Sequence, residues 1–441
     1  LIVAATMVLL PYLGGSLRPF CERRYPQQSV TKRVLADRAD ACQKPAARLA
    51  RGPPMIPFID LQAQRKRLGQ PLEDAILKVV RSGAYIMGPE IAEFERQLGV
   101  FGQAPNALSC GSGTEALVLP LMAWGIGPGD AVFCPSFSFA ATAEAMPLVG
   151  ASPVFVDIDQ DTYNLDPQSL QAAIEAVKRD GKLTPRAIIA VDLFGGPADY
   201  PAIAKIAQKH GLKLISDSAQ GFGCTLLGHH PIHWADVTTT SFFPAKPLGC
   251  YGDGGAILSK DEKFHDLLVS LRVHGQAVKS DIEGKTFEHD PKYLNVRIGM
   301  NSRMDTIQAA VLLEKLKIFE DEIAARNRVA DRYAQGLGDL VKTPTVLDGG
   351  VSVWAQYTIE LKGRDDLGPQ LREQGIPTAV YYPIPIHKQG VYSGYPTAPG
   401  GLPVTEAKAG QVISLPMHPY LTEDDQDQVI AAIRAFVKKN A

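Results

Sequence analysis

The chain is short of cross-links. Its 441 residues hold six cysteines, Cys21, Cys42, Cys110, Cys134, Cys224 and Cys250, and no two form a Cys-x-x-Cys pair. The last four are scattered through apolar or glycine-rich text. This spacing excludes a disulfide scaffold and gives no zinc-ligand pattern, so they read as free thiols in a reducing compartment. Long apolar runs are lacking as well. The stretch 1–13 is too short to span a bilayer, Pro11 interrupts it, and no basic segment precedes it as in a secretory signal. There is no internal repeat and no low-complexity linker. An excess of either charge is lacking overall, since 45 Lys/Arg stand against 47 Asp/Glu, a net of −2.

That small net charge hides an asymmetry. Residues 1–54 carry nine Lys/Arg against three Asp/Glu, a net of +6, which leaves −8 on the rest. An acidic body excludes a binder of nucleic-acid backbone, which needs a basic face. The Arg-rich, acid-poor start fits no targeting class cleanly. It reads as a targeting or membrane-touching segment, or as upstream sequence ahead of a natural start at Met55. The second reading is preferred, and the segment is expected to be poorly ordered.

From about residue 70 the text alternates helical and strand patterns, the mark of βαβ units and a largely parallel sheet with both faces covered. Strands are expected at 107–109, 131–134, 154–157, 187–191, 212–216, 238–242 and 255–258. After about residue 300 a long charged helical region, 308–340, precedes a strand at 357–361, a short helix at 367–373 and a terminal helix at 424–438. The expected division is an extension over 1–54, a large α/β domain over 55–300 and a smaller α+β domain over 301–441.

Four features sit at or just after strand ends, where open α/β sheets place ligands. Gly111-Ser112-Gly113-Thr114 enters a helix and offers backbone N–H groups to an anion, or is an ordinary tight turn. It is neither a P-loop nor a dinucleotide-binding glycine motif, which speaks against a nucleotide-dependent oxidoreductase. Asp217, with Gln220 three residues on, ends an apolar strand. It could pair with a protonated ring nitrogen or cap a helix. Lys246 stands in the Gly/Pro-punctuated loop Ser241-Phe242-Phe243-Pro244-Ala245-Lys246-Pro247, between two strands. Desolvation there would lower the amine's pKa and make it a nucleophile for an aldehyde. Phe139, in Pro135-Ser136-Phe137-Ser138-Phe139, could stack on a flat ring or lie in the core. A phosphate cradle, a stacking aromatic, an acid for a ring nitrogen and a buried lysine are together what pyridoxal 5′-phosphate (PLP) requires.

From Met55 onward the sequence resembles the DegT/StrS-type sugar aminotransferases, PLP enzymes acting on nucleotide-linked keto-sugars. The resemblance rests on Tyr85-Ile86-Met87-Gly88-Pro89-Glu90, Gly113-Thr114-Glu115-Ala116-Leu117, Asp217-Ser218-Ala219-Gln220, Ser241 to Lys246, and Asn301-Ser302-Arg303-Met304-Asp305. Within the family it is most similar to the bacterial UDP-2-acetamido-2-deoxy-3-oxo-glucuronate aminotransferases of surface-polysaccharide synthesis. That likeness is carried by Lys246 to Gly255, Tyr382-Pro383-Ile384-Pro385-Ile386, and Ser414 to Leu421.

The resemblance implies a fold-type-I PLP transferase, with a mostly parallel seven-stranded sheet between helices and a smaller C-terminal α+β domain. It makes Lys246 the Schiff-base lysine, with Asp217 on the pyridinium nitrogen, Gln220 on the phenolic oxygen and Phe139 against the ring. Gly113, Thr114 and Ser241 would hold the phosphate, with Asn301 arriving from the second subunit of a homodimer. Gly83, Tyr85, Arg303 and Tyr382 would contact the nucleotide-sugar, Arg303 being suited to a carboxylate. Two positions depart from the family: Tyr381 stands where relatives often have His, and Ala245 where they often have Ser. The expected partners are a UDP-linked keto-sugar and glutamate or 2-oxoglutarate, with no metal, nucleic acid or membrane, in the cytoplasm. A sugar dehydratase would replace the lysine with His, and a non-catalytic regulatory member would be expected to lose the lysine or the acid. This chain keeps both.

Overall fold

The computed structural model describes residues 55–285, 290 and 293–440. The expectation for 1–54 lies outside them. Seven strands form one sheet: β1 (Asn106–Cys110), β2 (Asp130–Pro135), β3 (Ser152–Val156), β4 (Thr184–Val191), β5 (Lys213–Asp217), β7 (Val237–Ser241) and β8 (Gly255–Ser259). The two-residue β6 (Thr225–Leu226) lies outside it, paired with β9 (Gly350–Val351). The spatial order is β1-β8-β7-β5-β4-β2-β3. Neighbours from β3 to β7 pair in parallel, while β8 pairs antiparallel with both β7 and β1. Only β8 is therefore reversed, and the carboxyl ends of the other strands share one edge.

Helices cover both faces because alternate strand residues point to opposite sides. In β8, Ile257 packs into one core, while Ala256 and Leu258 pack into another. The first core lies under α4 (Gly113–Ala123), α5 (Ala140–Leu148), α6 (Pro167–Asp180), α7 (Tyr200–His210) and α8 (Glu262–Arg272). These follow α1 (Leu61–Leu68), α2 (Gln70–Ser82) and α3 (Pro89–Phe101) in the chain. The second core joins Phe94 and Leu98 of α3 to Leu312 and Phe319 of the long helix α9 (Thr306–Leu337).

Helix α9 continues into a third core. There Val329, Tyr333 and Leu337 meet the antiparallel pair β10 (Tyr357–Glu360) and β11 (Val412–Leu415). Helices α10 (Arg364–Glu373) and α12 (Glu423–Asn440) complete this core, and α11 (Pro403–Ala409) precedes β11. Among the described residues no helix is long and apolar enough to cross a membrane.

Candidate active site

The carboxyl edge of the sheet gathers the chemistry. Asp217 ends β5 with 4% of its surface exposed. Its Oδ2 accepts from Thr142 Oγ1 at 2.8 Å, and its Oδ1 accepts from the Ala219 N–H at 3.2 Å. Turns rather than a helix follow, so Asp217 is not a helix cap. Burial pushes its pKa up, against the bonds from Thr142 and Ala219 and the attraction of the Lys246 ammonium. Burial lowers the pKa of Lys246, and the Asp217 charge opposes this. The loop after β7 thus turns the lysine back toward the end of β5, where each group counters the other's desolvation.

Both ends of that loop are fixed. The Lys246 N–H donates to the Phe243 carbonyl at 2.8 Å. At the far end, Lys315 of α9 donates Nζ–H to the Gly249 carbonyl at 2.5 Å and lies 4.6 Å from the centre of the Tyr251 ring. Lys315 is buried, and desolvation pushes its pKa down to about 8. Gly249 must be glycine, since a Cβ there would meet the Pro244 carbonyl at 2.5 Å.

Gln220 faces the same edge. Its Oε1 accepts from the Phe194 N–H and its Nε2 donates to the Tyr382 hydroxyl, both at 2.8 Å. The Tyr382 ring centre lies 6.5 Å from that of Phe139 and 5.7 Å from that of Tyr381. Phe139 precedes α5 and is 56% exposed, so it is not a core residue and its ring has a free face. Ala245 is half-buried beside Lys246.

Gly113 and Thr114 open α4, where first-turn N–H groups have no partner within the helix and favour an anion. The Ser112 hydroxyl caps this end by accepting from the Glu115 N–H at 3.2 Å. A Cβ on Gly113 would lie 2.6 Å from that of Ser241, so glycine allows α4 to approach the end of β7.

Gly83, Tyr85, Asn301 and Arg303 form a second group. Gly83 ends α2 in the left-handed conformation at φ 71°. The Tyr85 carbonyl accepts from the Thr306 N–H at 2.9 Å, and Ile86 bridges Asp305, which brings both segments together. The Ser302 hydroxyl donates to Glu115 at 2.7 Å and ties the segment to the first turn of α4. Tyr85 and Asn301 are exposed. Among the described residues, no hydrogen bond joins these four to Asp217, Lys246, Gln220 or Tyr382.

Comparison with known proteins places the chain. Residues 67–434 match the DegT/DnrJ/EryC1/StrS aminotransferase family. The chain belongs to that family. It is 45% identical over 382 residues to UDP-2-acetamido-2-deoxy-3-oxo-D-glucuronate aminotransferase of Pseudomonas aeruginosa, covering 86% of this chain and 99% of the relative. A DegT/DnrJ/EryC1/StrS aminotransferase of Brucella abortus superposes with a TM-score of 0.83 at 52% identity, covering 87% of this chain and 99% of that one. NtdA of Bacillus subtilis, solved with bound cofactor PMP, superposes with a TM-score of 0.75 at 30% identity, covering 88% and 86%.

As a member of this aminotransferase family the protein uses PLP, of which PMP is the amine form. The donor set fits the group. The close-approach glycine Gly113 leaves room at a helix N-terminus, and the charges of the buried carboxylate Asp217 and the desolvated amine of Lys246 stabilise each other. Thr142, Phe194 and Lys315, which sequence reasoning passed over, donate hydrogen bonds to Asp217, to Gln220 and to the Gly249 carbonyl of the lysine loop. Only Lys315 left a signal: a charge on the apolar stripe Val311, Leu312, Phe319 of α9.

Proposed function

We propose that the protein transfers an amino group from glutamate to C3 of UDP-2-acetamido-2-deoxy-3-oxo-glucuronate. The product would serve surface-polysaccharide synthesis, including lipopolysaccharide O-antigen, and the enzyme would act as a cytoplasmic homodimer. The observation that carries the reading is the buried carboxylate Asp217 at the sheet edge, electrostatically coupled to the half-buried, desolvated amine of Lys246, together with the similarity to the P. aeruginosa aminotransferase.

PLP, when bound, supplies an aldehyde that carries nitrogen and a ring that takes up the electron pair released at the substrate carbon. Asp217 holds a proton at the ring nitrogen. Lys246, with its lowered pKa, takes up and returns the proton at the carbon that gains or loses nitrogen. Gln220 meets the phenolic oxygen and Phe139 lies against the ring. Gly113, Thr114 and Ser241 hold the phosphate, and Asn301 of the second subunit reaches it. Gly83, Tyr85, Ala245, Arg303, Tyr381 and Tyr382 bind the nucleotide-sugar, with Arg303 on the uronate carboxylate. In this reading residues 55–300 are the cofactor domain and 301–441 the smaller domain, and closure between subunits excludes water.

Incubation of the purified protein with glutamate and a panel of UDP- and dTDP-linked keto-sugars tests the proposal. Transfer to the UDP-linked 3-keto-uronate ahead of the neutral and dTDP-linked sugars is expected. Preference for a sugar without a carboxylate would overturn it.

A further inference from the structure

None of the roles above uses Asp192, yet it is fully buried beside the cofactor acid. It follows β4, and its N–H donates to the Asp217 carbonyl at 3.0 Å. Its Oδ1 accepts from the Tyr200 hydroxyl at 2.7 Å and the Ala198 N–H at 3.1 Å. Its Oδ2 accepts from the Ser218 hydroxyl at 2.5 Å and the Ser216 hydroxyl at 3.3 Å. The two serine hydroxyls lie 2.9 Å apart, and the Tyr200 hydroxyl is 2.7 Å from that of Ser216.

The pattern is directional. Successive side chains at a strand end alternate between faces, so Ser216 and Ser218 point one way and Asp217 the other. Asp192 therefore holds both neighbours of Asp217 from behind. The Asp217 carboxylate is left on the opposite side, with Thr142 and Lys246. The same residue steadies the Gln220 turn. The Gly195 N–H donates to the Asp192 carbonyl at 3.2 Å, and the adjacent Phe194 N–H donates to Gln220. A Cβ on Gly221 would stand 2.2 Å from that of Asp192, so the turn closes directly on it.

We propose that Asp192 is a positioning residue for the amino transfer, acting through Ser216 and Ser218 to aim the Asp217 carboxylate at the cofactor ring nitrogen. The titratable groups facing it are Asp217 of β5, Tyr200 of α7 and Cys224 before β6. Burial and the Asp217 charge push its carboxyl up to about 6, while the bonds from Ser218, Tyr200 and Ala198 oppose this. At neutral pH it adds a second buried negative charge behind Asp217, which favours a protonated ring.

The inference rests on the PLP site. Its test is the pH titration of the bound cofactor's long-wavelength absorption band in the holoenzyme, with Asp192→Asn and Ser218→Ala beside the wild type. A protonated ring withdraws electrons from the lysine-linked nitrogen and keeps that nitrogen acidic. A misaimed Asp217 should therefore raise the pH midpoint of the band. The midpoint is expected to rise by about half a pH unit or more in Asp192→Asn and by less in Ser218→Ala. In Asp192→Asn, kcat should fall about tenfold, while KM for the sugar and the affinity of the apoprotein for PLP stay within about threefold. If Asp192→Asn does not fold, Ser218→Ala decides alone. An unchanged midpoint and kcat in the folded variants, whatever their melting temperatures, would make Asp192 purely structural and overturn the inference. A wild type that shows no such band would instead remove the PLP site, and this inference with it.

Discussion

Gln220 and Tyr382 are joined by a 2.8 Å hydrogen bond although 162 positions separate them. The Phe194 N–H needs an acceptor and takes Oε1, so the amide can turn only Nε2 toward the tyrosine. The turn after β5 and the segment after α10 thus hold each other at the site. Tyr382→Phe would leave Nε2 without its acceptor, a change that typically costs about 1–3 kcal/mol. A fall in kcat/KM of about tenfold or more is expected in steady-state assays, and a variant within twofold of wild type would assign the hydroxyl no role.

Lys246→Ala should fold normally and lose turnover. Without the amine there is neither a covalent anchor for the cofactor aldehyde nor a base at the reacting carbon. The readouts are a thermal melt and product analysis by mass spectrometry. Substantial transamination by this variant would refute the assignment.

Asp217→Asn should keep much of its PLP affinity and lose most of the rate, because the proposed phosphate cradle at α4 is untouched. Loss of an electrostatic contribution of this kind raises a barrier by roughly 3 kcal/mol or more. Single-turnover kinetics within about threefold of wild type, under about 1 kcal/mol, would leave the carboxylate a structural role only.

Stability should fall on acidification. Burial lowers the pKa of His230 and of His418 from 6.5 to about 4. Between these limits the unfolded chain binds more protons than the folded one. Stability therefore rises with pH across the window and is lost as pH falls, by on the order of 3 kcal/mol per histidine at the acid end. Asp192, raised to about 6, works the other way: the folded form takes its proton first, so its contribution declines as pH rises. Melting temperatures between pH 4.5 and 7.5 should fall toward acid, less steeply in His418→Gln and more steeply in Asp192→Asn. A flat wild-type profile would contradict the assignment of buried neutral histidines.

Mixing Lys246→Ala with Asn301→Ala chains tests the shared site. If each site takes Asn301 from the neighbour, a hybrid dimer has one site with both lesions and one with neither, so activity should partly return. No recovery after subunit exchange, or an active species that sediments as a monomer, would rule out composite sites.

The order of elements was legible in the sequence because strand and helix periodicities are local. All seven sheet strands fall within a few residues of their expected spans, and α9 begins two residues before the expected helical region. Asp217 and Lys246 were legible as unusual residues, a carboxylate ending an apolar strand and a lysine without a polar helical face. The reversal of β8 was not legible, because strand direction depends on the path of the chain between strands and leaves no mark on apolar alternation. Nor was it legible whether Asp217 caps a helix or whether the Phe139 ring is buried or exposed. Those depended on what surrounds each residue after folding: Thr142 from α5, Lys246 from the loop after β7 and Tyr382 from the C-terminal half. The grip of Asp192 on both neighbours of Asp217 arises in the same way. Periodicity records which side a residue faces, whereas hydrogen bonding and desolvation depend on partners distant in the chain, which only the tertiary structure brings near.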